Sequence, residues 1–438
     1  MNNKFIKIVF LFTIFCGLVG IVGCSKDKEE EEIELSSYQK CWIADIEMIR
    51  DIFSKTPGID YRLSNKMRNK ELDDLIDCIK KNEYIEEVTI YYKLCEIISD
   101  IEIGHMRIIP SIEFDTLYYP ISGKWFGNDF YIMSTSVEYQ EIIGGVLKKI
   151  NGVDLNEVLN RFDTIVSNEN KQDLKKNFEY NFKFSKNVLD YLEFIKNDNI
   201  ILTVEKNNKL FKVEVSPQEY YTFNNIVDNG NGLPMWEKIY HENKEAPFSF
   251  VFDNHNKTLY FQYNKCYDNS MVGYNNYPNF EKFFDNMIEY MKLHKKEYKD
   301  FIIDLRYNTG GNSGILEEAL NKHKEFLKKQ NIKVLIGKKT YSSGQKAIED
   351  ILTIISDDIK LYGEETGNSV LNYTDINQVI LPISRWFLYN VKHEQRVPSL
   401  KKRQKDHNRG VIPDFEVDMD YNDYINGIDT VYEYAIAH

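Results

Sequence analysis

Phe301-Ile302-Ile303-Asp304-Leu305 runs straight into Arg306-Tyr307-Asn308-Thr309-Gly310-Gly311, and this stretch limits the possible folds more tightly than any other. A short, largely apolar run that ends in a glycine-rich turn and leads into a helical pattern (Gly314 to Lys328) has the form of a strand buried on both faces of a parallel sheet. The alternation continues through a strand at Ile332 to Ile336, a helix at Ser342 to Ile355 and a short strand at Lys360 to Tyr362. A hairpin at Val379 to Val391 and a helix at Tyr421 to Ala435 follow. Upstream, Phe248 to Phe252 and Leu259 to Tyr263 form a hairpin around Asn254-His255-Asn256, with a helix from Pro278 to Lys295. Residues 218–438 therefore read as one α/β layered domain.

Two other regions precede it. Residues 35–114 read as helical, because Tyr38 to Phe53 and Glu71 to Ile98 carry apolar residues at three- and four-residue spacing with few Gly or Pro. The period changes to that of a strand near Gly104-His105-Met106-Arg107. Residues 115–217 read as a β-rich unit with strands at Leu117 to Ile121, Phe130 to Ser134 and Val146 to Ile150, then a turn at Asn151-Gly152. A helix at Asn156 to Phe162 and a hairpin of Ile200 to Val204 with Leu210 to Val215, joined at Asn207-Asn208, complete it.

The N-terminus is expected to lie outside the fold. Lys4 and Lys7 precede an apolar run from Ile8 to Gly23 that is short for a membrane span, so residues 1–23 read as a signal peptide. Its end, Ile21-Val22-Gly23-Cys24, resembles a bacterial lipobox, which implies lipidation of Cys24. Residues 24–34, with Glu29 to Glu32 in a row, read as a solvated acidic tether and resemble the export tag of surface lipoproteins in Bacteroidetes. The expected location is the bacterial cell envelope, with the chain held to the outer membrane by lipid. The net charge of −13 argues against a nucleic-acid surface, which needs clustered positive charge. Cys41, Cys78, Cys95 and Cys266 match no zinc spacing; pairing in an oxidising periplasm is open to them, and buried free thiols is the preferred reading.

Two strand-to-helix turns could carry chemistry. In the first, paired glycines after Asp304-Leu305-Arg306 let backbone amides approach a ligand, and amides aimed at one point suit an oxyanion. In the second, Lys339-Thr340-Tyr341-Ser342-Ser343-Gly344-Gln345, a serine stands at a helix start. That position suits an N-cap and equally a nucleophile stabilised by the helix N-terminus. The spacing fits neither a phosphate loop nor a dinucleotide fingerprint, and no HExxH or carboxylate cluster points to a metal, so no cofactor is expected.

Taken in order, these motifs resemble those of the S41 serine peptidases, the tail-specific and tricorn-core proteases. Asp304-Leu305-Arg306 with Asn308 and Gly310-Gly311 is similar to DLRxNxGG, and Thr340 to Gln345 to the nucleophile turn. Tyr362 to Gly367 resembles GExTxG, Gly410-Val411-Ile412-Pro413-Asp414 resembles GVxPD, and Asp423, Gly427 and Asp429 fit the closing helix. Leu147 to Val158 resembles a PDZ segment. The resemblance implies a ClpP/crotonase-like catalytic domain, a PDZ-like domain at 115–217 and peptide or protein substrates. It assigns the nucleophile to Ser342 and the oxyanion donors to Gly310 or Gly311 together with Ser343. Tail-specific members use a lysine base about 25 residues after the serine, but here Gly367-Asn368-Ser369 stands there. The tricorn-like branch uses a histidine late in the helical segment, which maps the base onto His105. Two departures from that pattern are Gly104, where a serine is expected, and His407, where a glutamate is expected. His407 or Asp406 is then expected to complete the network. The other reading is an inactive S41-like surface lipoprotein that binds peptides or envelope proteins.

Overall fold

The computed structural model describes residues 34–59, 65–111, 114–219, 226–228 and 246–438. The segments expected to be a signal peptide and an acidic tether, with Cys24, lie outside the described residues up to residue 33. Among the described residues no helix is long and apolar enough to cross a membrane.

Six strands form the central sheet, in the order Phe248–Asp253, Thr258–Tyr263, Asp300–Asp304, Ile332–Ile336, Lys360–Gly363 and Phe415–Glu416. The first pair is antiparallel and every later pair is parallel. Side chains alternate across it with the period of two that a strand imposes. Leu259, Phe261, Phe301, Ile303, Val334 and Ile336 pack against helices Phe280–Leu293, Gly314–Leu327 and Ser343–Asp350. Tyr260, Ile302, Leu335 and Tyr362 face the opposite way, onto the C-terminal helix Thr430–Ala437. Both faces are covered, which is why these strands read as continuous apolar runs rather than alternating ones.

The β-rich unit is an antiparallel sheet in which Asp129–Ser136, Val146–Ile150, Ile200–Lys206 and Lys209–Val215 lie in that order. Asn207 and Asn208 both take positive φ (53° and 59°), as the two-residue hairpin between twisted strands requires. The N-terminal helices Ser37–Lys55, Asn65–Lys81 and Glu87–Ser99 share one apolar core with Trp386, Leu388 and Val391 of the late hairpin. That hairpin also receives Arg107–Ile109 as an antiparallel third strand, with Arg107 opposite Tyr389 and Ile109 opposite Phe387.

Several sequence expectations are corrected. The region from Glu71 to Ile98 is two helices, not one, broken between Lys81 and Glu87. The closing helix is also two pieces, Tyr421–Ile425 and Thr430–Ala437, parted at Gly427 (φ +76°). Helices Lys171–Asn177 and Lys186–Tyr191 had no clear periodicity, since each is under two and a half turns long. Cys41, Cys78, Cys95 and Cys266 are all unpaired; Cys266 is buried, but Cys78 is exposed.

Candidate active site

The C-terminal ends of Asp300–Asp304 and Ile332–Ile336 lie side by side, because the strands are parallel neighbours. Both turns of interest leave the sheet there, at the edge where α/β folds place ligands. Asn308 joins them. Its amide nitrogen Nδ2 donates to the Tyr263 carbonyl at 2.9 Å, its Oδ1 accepts the Gly310 amide at 2.9 Å, and its carbonyl accepts the Tyr341 amide at 2.9 Å. Arg306 is a buried clamp: it reaches Asp304 Oδ2 at 2.6 Å and holds both oxygens of Asp429, at 2.8 and 2.6 Å. The Asp-Leu-Arg motif and the late Asp429 are thus one structural unit that fastens the last helix to the strand end. Thr366 does similar work, accepting the Val411 amide at 2.8 Å and donating to Gln345 at 3.2 Å.

Ser342 caps the helix Ser343–Asp350 with φ +54° and ψ −120°. A non-glycine residue held there is strained, and such strain persists only where the surroundings fix it. They do: the Ser342 amide donates to Asn368 Oδ1 at 2.5 Å, and its carbonyl accepts from Gln345 and Lys346 amides and from Gln395 Nε2. Ser342 lines a cavity of about 680 Å³ together with His105 and Gly311.

Gly310 and Gly311 take φ of +104° and +135°, and each is also pressed against a neighbour. A Cβ on Gly310 would stand 2.8 Å from Ser342 Cβ, and one on Gly311 would stand 2.5 Å from the Cys266 carbonyl oxygen. The Gly310 amide is taken by Asn308, so it is not an oxyanion donor, and of the two alternatives only Gly311 is left. The Gly310 carbonyl accepts the Cys266 amide at 3.0 Å, which turns the N–H of the same peptide plane, that of Gly311, the other way. The Ser343 hydroxyl donates to the Gly311 carbonyl at 2.6 Å and locks the two turns together.

His105 lies in the short turn between helix Glu87–Ser99 and strand Arg107–Ile109, and the pairing of that strand with the late hairpin carries it to the cavity. Its ring is 5 % exposed and sits 5.0 Å from the Tyr341 ring, centroid to centroid. Burial, reinforced by Lys176 and Arg107, lowers its pKa to about 3 against a weak opposing pull from the Tyr373 backbone. Nδ1 is buried without a regular hydrogen bond.

His407 is elsewhere. Its Nε2 meets the Lys401 carbonyl at 3.0 Å in the loop before Gly410, and Asp406 caps the Asn408 amide at 3.1 Å. Neither lines the cavity, so neither completes a network with Ser342. The carboxylate that does is Glu169, from the β-rich unit. It accepts the Gly104 amide and the Tyr341 hydroxyl on Oε1, each at 3.2 Å, and Asn368 Nδ2 (2.6 Å) and the Ser369 amide (2.8 Å) on Oε2. Asn368, where a lysine base would stand, therefore links Glu169 to the Ser342 amide. Gly104 is also explained: a Cβ there would fall 2.1 Å from the Tyr341 hydroxyl and 2.8 Å from Asp173, leaving no room for a serine. Counting from Ser342 could have found Asn368; nothing in the sequence pointed to Glu169.

Residues 271–355, which include both turns, match Peptidase family S41. Comparison with curated proteins found no match. Among solved structures, mature CPAF aligns with a TM-score of 0.62 at 13% identity, covering 91% of this chain and 96% of that one. Mature CPAF complexed with lactacystin aligns with a TM-score of 0.61 at 13% identity, covering 91% and 97%. At that identity the likeness shows a shared fold, extending through the helical and β-rich regions as well as the catalytic sheet. The chain therefore carries a peptidase family S41 domain and is, by class, a serine-type peptidase.

Proposed function

We propose that this chain is a lipid-anchored serine endopeptidase in which Ser342 is the nucleophile and His105 the general base. The observation that carries it is that a strained, backbone-fastened serine and a neutral imidazole line one cavity beside the Gly311 amide. His105 takes the Ser342 proton as the oxygen attacks a peptide carbonyl. The amides of Gly311 and Ser343 receive the oxyanion, the imidazolium protonates the leaving amine, and an acyl-enzyme results. Water, deprotonated by the same imidazole, then releases the acid and restores Ser342. Glu169 touches no reacting atom in this scheme; it positions Asn368, Tyr341 and the Gly104 turn. Lipid on Cys24 and the acidic tether would hold the domain at the cell envelope.

A fluorophosphonate probe tests the reading. Labelling is expected in the wild type and absent in Ser342→Ala, with His105→Ala abolishing turnover. Lys346→Ala should keep most activity, because Lys346 is occupied by Asp350 and Glu317. A folded wild type that takes no label would leave the binding-lipoprotein reading, which the lack of a carboxylate hydrogen-bonded to His105 among the described residues favours. Incorporation of labelled fatty acid, lost in Cys24→Ala, tests the anchor.

A further inference from the structure

Strand Arg107–Ile109, next to His105, pairs with the hairpin of Asn377–Ile380 and Phe387–Asn390, and it is the base of that hairpin that reaches the Ser342 turn. Tyr373–Thr374 and His393–Glu394, which flank the hairpin in the chain, form a small antiparallel ribbon with Tyr373 opposite Glu394 and Thr374 opposite His393. The Lys392 amide donates to the Thr374 carbonyl at 3.0 Å and the Gln395 amide to the Asn372 carbonyl at 2.9 Å, which extends the ribbon at both ends. Thr374 lines the same cavity as His105 and Ser342. One strand of the ribbon is seated in the N-terminal core: the Tyr373 side chain is buried there, and a Cβ on Gly58 would fall 2.3 Å from its ring. From the other strand, Gln395 Nε2 donates to the Ser342 carbonyl at 3.3 Å. The ribbon thus touches both the core that leads to His105 and the turn that carries Ser342.

Gln395 is 6 % exposed, and its Oε1 is buried without a partner among the described residues. A buried amide with half of its bonding unmet is a poor stabiliser. The Ser342 carbonyl does not depend on it either, since that oxygen already accepts the Gln345 and Lys346 amides at 3.0 and 3.1 Å. An apolar side chain of the same length would suit the fold as well. What it could not do is hold the strained Ser342 backbone (φ +54°) at a set distance from the ribbon. We propose that Gln395 is a positioning residue of the reaction: its amide ties the Ser342 turn to the base of the hairpin that receives the His105 strand, and so sets the serine hydroxyl against the imidazole. The proposal rests on the peptidase reading above and adds a residue to it. Gln395 acts through Ser342 and touches no reacting atom.

Labelling by a fluorophosphonate at increasing concentration tests this, because it gives a limiting rate and a half-saturating concentration separately and needs no known substrate. Gln395→Met removes the donor and the unmet oxygen together. Its Tm should equal or exceed that of wild type, while the limiting rate falls about tenfold, the worth of one hydrogen bond, and the half-saturating concentration stays the same. Gln378→Met, at an exposed position of the same hairpin, should keep both values. Gln395→Glu has the shape of wild type but donates only while protonated. Its rate should therefore fall as pH rises and the carboxyl ionises, a dependence absent from Gln395→Met. A Gln395→Met protein that labels at the wild-type rate, or one whose slower labelling comes with a lower Tm, overturns the proposal. So does a Gln395→Glu protein whose rate follows pH as that of Gln395→Met does. In each of these cases a labelled wild type leaves the peptidase reading standing. A folded wild type that takes no label overturns that reading, and the proposal with it.

Discussion

Glu169 shows how one buried carboxylate can organise a site that it does not enter. Its oxygens accept from Gly104, Tyr341, Asn368 and Ser369, which belong to three separate stretches of chain. Glu169→Gln keeps the shape but turns donors toward donors, which should cost about 1–3 kcal/mol for an unsatisfied buried group. We expect a lower Tm and a reduced kcat with KM little changed, because the Ser342 turn loses its fastening while the cavity wall stays; an unchanged kcat would show that Asn368 holds Ser342 without help. Gly311→Ala has two costs at the same scale. Positive φ in a non-glycine residue is worth about 1–3 kcal/mol of strain, and a displaced oxyanion donor costs about 10²–10³ in kcat. His105 adds a pH signature. Its pKa near 3 keeps it neutral through mildly acidic conditions, so the acid limb of kcat/KM should lie well below the 6.5 of a free imidazole. Lys176→Gln, by removing a facing charge, should move that limb upward. The same depression destabilises the fold in acid: between pH 6.5 and 3 the unfolded chain binds a proton that the native His105 refuses, so stability falls as pH falls. His105→Asn should flatten that part of the Tm–pH curve relative to wild type.

Among the elements, the three-residue strand Arg107–Ile109 matters more than its length suggests. Among the described residues it is the strand that lies in chain order between the N-terminal helices and the β-rich unit, and its partner Phe387–Asn390 lies in the region that carries the Ser342 turn. Ile108 is buried opposite Leu388, inside the core shared with Trp42 and Trp386. Emptying that contact with Leu388→Ala should cost about 2–5 kcal/mol, as core truncations do, and should also loosen the His105 turn. Leu320→Ala, in helix Gly314–Leu327, removes a comparably buried leucine of the sheet-facing core. Both variants should lose Tm, but only Leu388→Ala should lose kcat when assayed well below its Tm. Equal kcat in the two would mean that strand pairing does not hold His105 in the place the proposed reaction needs. The parallel strands, the asparagine hairpin and the helices flanking them were legible in the sequence, since each depends on neighbours a few residues away. The short helices Lys171–Asn177 and Lys186–Tyr191 were not, because so few turns carry no readable period and their place is set by the β-rich core they cover.

Across the whole molecule, the β-rich unit and the catalytic sheet are pinned by an ion pair with almost no exposure. Lys338 Nζ meets Glu179 at 2.9 Å, and the same lysine donates to the Trp125 carbonyl at 3.1 Å. Removing one partner strands a buried charge, so Glu179→Ala should lower stability by about 3–5 kcal/mol. The paired replacement Glu179→Leu with Lys338→Met should restore much of it, read by denaturant unfolding; no recovery would indicate that the backbone contacts to Trp125, not the charge pair, do the pinning. Local order decided the rest early: the apolar strand, the glycine turn and the serine at a helix start follow from sterics and hydrogen bonding within a few residues, and those interactions are written in the sequence itself. Which histidine shares the cavity with Ser342, and which carboxylate fastens the Ser342 turn through Asn368, is another matter. His105 and Glu169 lie 237 and 173 positions before it, and His407, nearer along the chain, binds a backbone carbonyl in its own loop. Those meetings depend on how three cores pack and on one strand crossing between them, and packing over such separations leaves no periodic trace in the sequence.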